Sequence, residues 1–267
     1  MNWTSGTTDP RGGTVRLPRR TVLVETVLVL GVSLGASAVW ALLSLIRKLT
    51  REQPLSAQTT SMNTSVTPDQ PWLDLAYQLA GIGLALVPVV LALHLLARDV
   101  PGRGRARGLM GLDLHRPLRD LLAGAALAAV IGIPGLGFYL GARALGLNTT
   151  ISAANLEAVW WAPVVLILAA LQNAILEEVI MVGYLFTRWT QAGWSTWAII
   201  ITSALIRGSY HLYQGFGGFV GNIAMGLLLG WVYTRTRRVM PLVIAHALLD
   251  VVAFLGYAVL ADRVGWL

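Results

Sequence analysis

Long apolar runs, each closed by a cluster of charges, glycine or proline, constrain this chain more than any other feature. Stretches near the ~20 apolar residues that cross a bilayer fall at 21–46, 73–97, 119–142, 159–187, 194–213, 217–234 and 239–261. A soluble fold of 267 residues could bury some of these runs, but it would need many more surface charges. Charged residues are only 12 % of the chain against 55 % hydrophobic ones, and the mean hydropathy is +0.65. The expected fold class is therefore all-α: a polytopic integral membrane helical bundle with about seven to eight transmembrane spans. With no cysteine in the chain, disulfides, thiolate metal sites and a cysteine nucleophile are excluded.

A net charge of +7 would suit nucleic acid if the basic residues shared a soluble face. They fall instead between the apolar runs. With the N-terminus in the cytoplasm, the inside segments carry fourteen: Arg11, Arg16, Arg19 and Arg20, then Arg98, Arg103, Arg105, Arg107, Arg116 and Arg119, then Arg188, then Arg235, Arg237 and Arg238. The outside segments carry five, Arg47, Lys48, Arg51, Arg143 and Arg263, while Arg207 lies inside a run. This is the positive-inside pattern. It leads us to expect a multi-pass cell-membrane protein with a cytoplasmic N-terminus, partnered by anionic lipid headgroups and not by nucleic acid. Nineteen arginines to one lysine suit a GC-rich bacterial genome.

Three regions follow. Residues 1–20 read as a disordered basic tail. Residues 21–154 hold the N-terminal transmembrane helices, a polar loop at 50–71 and a basic cytoplasmic loop at 98–119. Residues 155–261 hold the remaining spans and nearly all the polar residues that a membrane should exclude.

Glu25, near the start of the first run, and His94, near the end of the second, are placed to reach the interface. The rest of the intramembrane ionisable set lies in the last third: Glu177, Glu178, Arg207, His211, His246 and Asp250. A carboxylate at mid-bilayer costs about 2.5–3.5 kcal/mol on insertion scales, so an adjacent pair needs a reason. Neighbouring helical positions point about 100° apart. One glutamate can thus face a cavity while the other pairs with a neighbouring helix. Arg207 and His211 share a face at i,i+4, as do His246 and Asp250 in IAHALLD. Two carboxylates, two histidines and a further acid suit water activation: a general base, groups for an oxyanion, and an acid orienting an imidazole. His211, His246 and Asp250 are also candidate ligands for a divalent metal such as zinc, and the residues leave open whether the site uses one. No HExxH and no serine elbow are present. The same cluster could instead be interhelical glue in a scaffold or immunity-type protein that binds a peptide or lipid. An ion-coupled transporter is a third reading, but internal repeats and polar residues along the first three spans are missing.

The order of these motifs (a double glutamate, a histidine closing the next span, then HxxxD) resembles the CPBP family. These are the CAAX prenyl endopeptidase type II and bacteriocin-processing membrane proteins, also called the ABI family. Glu177-Glu178, Tyr210-His211, GNIAMGLLLGWVYTRT and PLVIAHALLD carry the resemblance, over roughly residues 155–255. It implies a glutamate-dependent intramembrane endopeptidase acting on a peptide or membrane-protein substrate. Glu177 would activate water beside Glu178. His211 and His246 would be the second and third motif histidines, with Asp250 where the family often has asparagine. Eukaryotic members cleave a C-terminal tripeptide after a prenylated cysteine; bacterial members are linked to peptide processing or bacteriocin self-immunity.

Two positions depart from that pattern. Val182 stands where EExxxR has arginine, and Arg207 stands where FxxxH has phenylalanine. One cation has been lost from one helix and gained on the next, so Arg207 is expected to support the site by pairing with Glu178. Depth is a second constraint. At ~1.5 Å per residue, Glu177 lies about 16 Å above Arg188 and His246 about 12 Å above Arg238, but His211 about 25 Å above Trp194. A shared site therefore requires a short, tilted or broken fifth span.

Overall fold

The apolar runs fold as helices, and they break where the sequence removes a backbone hydrogen bond or frees the chain. The computed structural model describes residues 7–8, 14–15, 17–99, 105–261 and 263. The first run divides into α1 (Arg19–Gly31) and α2 (Leu34–Leu49), bent by 51° at Val32-Ser33. There the Ser33 hydroxyl donates to the Val29 carbonyl at 2.6 Å. The second run is α3 (Pro71–Ala85) and α4 (Val87–Asp99), joined at Leu86 just before Pro88, which has no amide hydrogen to give the helix ladder. A short α5 (Arg105–Leu109) precedes α6 (Pro117–Ala144), which keeps Pro134 inside it. α7 (Ala162–Glu177) runs through a π-helical segment, Glu178–Tyr184, into α8 (Leu185–Gln191). α9 (Thr196–Ser209), α10 (Phe216–Thr236) and α11 (Met240–Leu260) complete the bundle.

Among the described residues, five helices are long and apolar enough to cross a membrane, or six if α1 and α2 count as one span. The protein is an all-α polytopic membrane bundle. α9 has only 14 residues, about 21 Å of helix and too few to cross alone. The chain leaves the helix two residues before His211, turns through a 3-10 segment at Leu212–Gln214, and starts α10. The fifth span is short.

Lipid is as apolar as leucine, so close packing must hold such helices together. The π-helical segment is the centre of that packing: Val179, Ile180, Met181 and Tyr184 have no exposure, nor do Leu229 of α10 and Leu242 of α11. Gly226 lets α10 approach α9, because a Cβ there would lie 2.9 Å from the Ala204 Cα.

Charges expected in loops or at interfaces join the packing as well. Glu25 does not reach outward; it pairs with Arg98 and, at 2.9 Å, with Arg188. Arg188, counted above as a loop residue, is fully enclosed and also donates to the Leu95 carbonyl at 2.9 Å. At this basic end Arg238 binds Asp113 at 2.8 Å and Asp120 at 2.6 Å. The guanidinium holds the Asp113 carboxyl well below the usual carboxylate range, and the two carboxylates push Arg238 upward.

At the opposite end the loop 50–71 is an ordered cap. The strand Thr59–Ser61 pairs in parallel with the strand Thr150–Ser152, Thr60 opposite Ile151, and Asn155 donates to the Met62 carbonyl at 2.8 Å. Most of the tail read as disordered, 1–20, lies outside the described residues. Within it Thr7–Thr8 and Thr14–Val15 form an antiparallel pair, and α1 already begins at Arg19.

Candidate active site

Five elements deliver the polar set to one place. Glu177 ends α7 and Glu178 opens the π-helical segment; Arg207 lies in the last turn of α9; Tyr210 and His211 follow it; His246 and Asp250 lie one turn apart on α11. The wider turn at the glutamates is a rare feature that tends to occur at functional sites.

The two carboxylates diverge as adjacent helical positions must. Glu178 is fully enclosed; its Oε1 accepts from Arg207 Nη2 at 2.8 Å and meets His246 Nδ1 at 2.8 Å. Glu177 points the other way. Its Oε2 accepts from the Tyr210 hydroxyl at 2.7 Å and from Arg207 Nη1 at 3.2 Å, with His211 Nε2 at 3.8 Å. The Arg207 guanidinium, 1 % exposed, thus bridges both glutamates, and the expected pairing across helices holds. On α11, Asp250 Oδ1 lies 3.8 Å from His246 Nε2, close enough to orient the ring electrostatically but too long for a hydrogen bond.

All six ionisable residues singled out in the sequence meet here. Two partners were missed. Tyr210, quoted only as part of a motif, is the nearest donor to Glu177. Asn173 donates to Asp250 Oδ2 at 3.3 Å; its position four residues before Glu177, on the same face, was the available signal.

The metal set offered by the sequence, His211, His246 and Asp250, does not assemble. Among the described residues no group of three or more histidine, aspartate or glutamate side chains is arranged to hold an ion. The reason is local: a guanidinium occupies the space between the glutamates, and His246 directs Nδ1 at Glu178. As arranged among the described residues, these donors do not fit a metal.

What remains is a buried acid pair with one member partly accessible. The Glu177 side chain is 11 % exposed, His211 15 % and Asp250 21 %, whereas Glu178 has no exposure. Met181, Leu229 and Leu242, all without exposure, belong to one apolar cluster. No curated protein and no solved structure matches the chain. The family model described as Type II CAAX prenyl endopeptidase Rce1-like matches residues 159–252, a span that holds every group just described and leaves out α1 to α6. Over residues 159–252 the chain is therefore similar to the Rce1-like type II CAAX prenyl endopeptidases.

Proposed function

We infer that the protein is an intramembrane endopeptidase in which Glu177 activates water. The observation that carries this reading is the asymmetry of Glu177: Oε2 is fixed by Tyr210 and Arg207, while Oε1 has no hydrogen bond among the described residues. A carboxylate held by one oxygen and free at the other is placed to take a proton from water. The hydroxide adds to the peptide carbonyl carbon. His211 Nε2, buried and without a hydrogen-bond partner among the described residues, donates to the resulting oxyanion. Glu177 then returns the proton to the amine nitrogen as the carbon–nitrogen bond breaks. Glu178 holds His246, and Asp250 orients the other edge of that ring. Arg207 fixes the glutamate pair.

The substrate on this reading is a peptide or a membrane-protein segment that reaches the bundle interior. On this reading the N-terminus is cytoplasmic, which the positive-inside pattern supports, and the cell is bacterial, which the arginine bias supports. A non-catalytic scaffold of the bacteriocin-immunity type would keep the same charge network as glue, and one experiment separates the two. Membranes carrying wild type or Glu177→Gln are compared by sequencing new peptide termini. Termini lost in the variant, with the folded protein present at equal level, are the expected result. Identical termini and an unchanged phenotype would sink the protease and leave the scaffold.

A further inference from the structure

Lys48 ends α2, far in sequence from the Rce1-like stretch, yet it is 5 % exposed and no carboxylate pairs with it among the described residues. A buried ammonium facing only neutral acceptors is costly, so what it holds is informative. Its Nζ donates to the Thr60 hydroxyl and to the Tyr213 carbonyl. Thr60 donates to the same carbonyl at 3.2 Å and shares a hydrogen bond with the Thr149 hydroxyl at 2.6 Å. Thr149, the donor of that pair, in turn gives its amide, at 2.9 Å, to the Gln214 carbonyl, with its hydroxyl oxygen 3.1 Å from the same atom. The backbone of the turn after α9 is thus gripped at two successive carbonyls by residues outside that turn.

Those two carbonyls belong to the residues that surround the His211 ring. Tyr213 stacks on it with ring centres 6.1 Å apart, and Gln214 Nε2 lies 3.4 Å from His211 Nδ1 and donates to the Tyr213 hydroxyl at 3.0 Å. Hold the carbonyls, and the ring is held. We propose that Lys48 is a positioning residue for His211: it clamps the Tyr213 carbonyl so that the imidazole stays directed at Glu177. The clamp needs a donor long enough to reach from α2 and able to serve two acceptors at once, which an ammonium does. This proposal rests on the protease reading for its consequence on rate, but the clamp itself does not.

Two readouts therefore test it, in the full chain in detergent or native membrane. The first is diethyl pyrocarbonate modification followed residue by residue, with exposed His94 and His115 as internal references. In Lys48→Met, His211 should react faster by roughly tenfold, as local opening of one turn allows, while His246 keeps its wild-type rate. Equal acceleration at both histidines, or at neither, overturns the clamp. The second is turnover of a peptide whose cleavage depends on Glu177. Lys48→Met should lose on the order of 10²-fold in kcat with KM nearly unchanged, and Lys48→Arg should recover part of it. Unchanged kcat beside a faster-reacting His211 also overturns the positioning role. If Lys48→Met does not accumulate, Thr60→Val removes the hydroxyl that shares the carbonyl, and an unchanged His211 rate there is equally fatal. Loss of the protease reading is distinguishable, because it appears as no effect of Glu177→Gln whatever the modification rates show.

Discussion

Arg207 is where the structure commits itself most firmly. Its guanidinium is 1 % exposed and serves two carboxylates, Glu178 at 2.8 Å and Glu177 at 3.2 Å. Replacing it with methionine keeps most of the volume and removes the charge. Glu177 would retain Tyr210 and a partly accessible side chain, so it can rehydrate. Glu178 cannot, because it has no exposure and would keep only His246. The loss should therefore be that of a broken buried pair, about 3–5 kcal/mol, and most of it should trace to Glu178. A double-mutant cycle checks the assignment. Arg207→Met, Glu178→Gln and the double variant are unfolded at equilibrium in mixed micelles, with helical circular dichroism as the signal. The double variant should be less destabilised than the sum of the singles by about 1–3 kcal/mol. A cost for Arg207→Met below ~1 kcal/mol, the worth of an exposed pair, would refute the argument. So would strict additivity.

Two further outcomes are expected. Gly226→Ala places a methyl 2.9 Å from the Ala204 Cα and 3.2 Å from Arg207 Cδ, so it should cost about 1–3 kcal/mol as overpacking and lower Glu177-dependent cleavage by moving α9; full stability and activity would count against the close approach. At the basic end, Arg238 lowers the Asp113 carboxyl, so that contribution to stability is complete above the unfolded aspartate value of ~3.9, starts to fall below it, and is lost as pH drops to the depressed folded value. The melting temperature of wild type should accordingly drop more on acidification than that of Asp113→Asn, and parallel drops would dismiss the ion pair.

The fold class was legible because a bilayer admits few solutions: an apolar run of spanning length has to satisfy its own backbone, and a helix does so. Much of the site was legible for a related reason. Intramembrane charge is expensive, so Glu177, Glu178, Arg207, His211, His246 and Asp250 could not be incidental. Other features were hidden. Arg188 reads as a loop charge because it follows an apolar run, and only the fold reveals Glu25 as its partner. The cap reads as a polar loop because its order comes from backbone pairing between Thr59–Ser61 and Thr150–Ser152, segments far apart in sequence. Each strand is only three residues long, Thr59-Thr60-Ser61 and Thr150-Ile151-Ser152, too short for an alternating pattern to announce it. Lys48 reads as an outside charge beside Arg47 and Arg51, and only the fold reveals its contacts with Thr60 and the Tyr213 carbonyl. Tyr210 was missed because a tyrosine beside a histidine carries no spacing rule that aims its hydroxyl at a glutamate thirty-three residues earlier.

A cation at position 207 and none at position 182 has a physical logic. Val182 lies in the π-helical segment, 2 % exposed, within the apolar cluster that includes Met181, Leu229 and Leu242. An arginine there would share a helix with the glutamates and would have to be accommodated inside that cluster. On α9 the same charge arrives from across the interface, where it can bond both carboxylates at once, and it stands four residues before His211. One turn of α9 thus sets the position of the cation and the approach of the histidine together. Gly226 then fixes that turn through α10, and the Lys48 clamp holds the Leu212–Gln214 turn that follows it through the cap. The N-terminal helices outside the Rce1-like match are therefore part of what holds the site. Any fragment reduced to residues 159–252 would lose Lys48, Thr60 and Thr149, and with them the hold on His211.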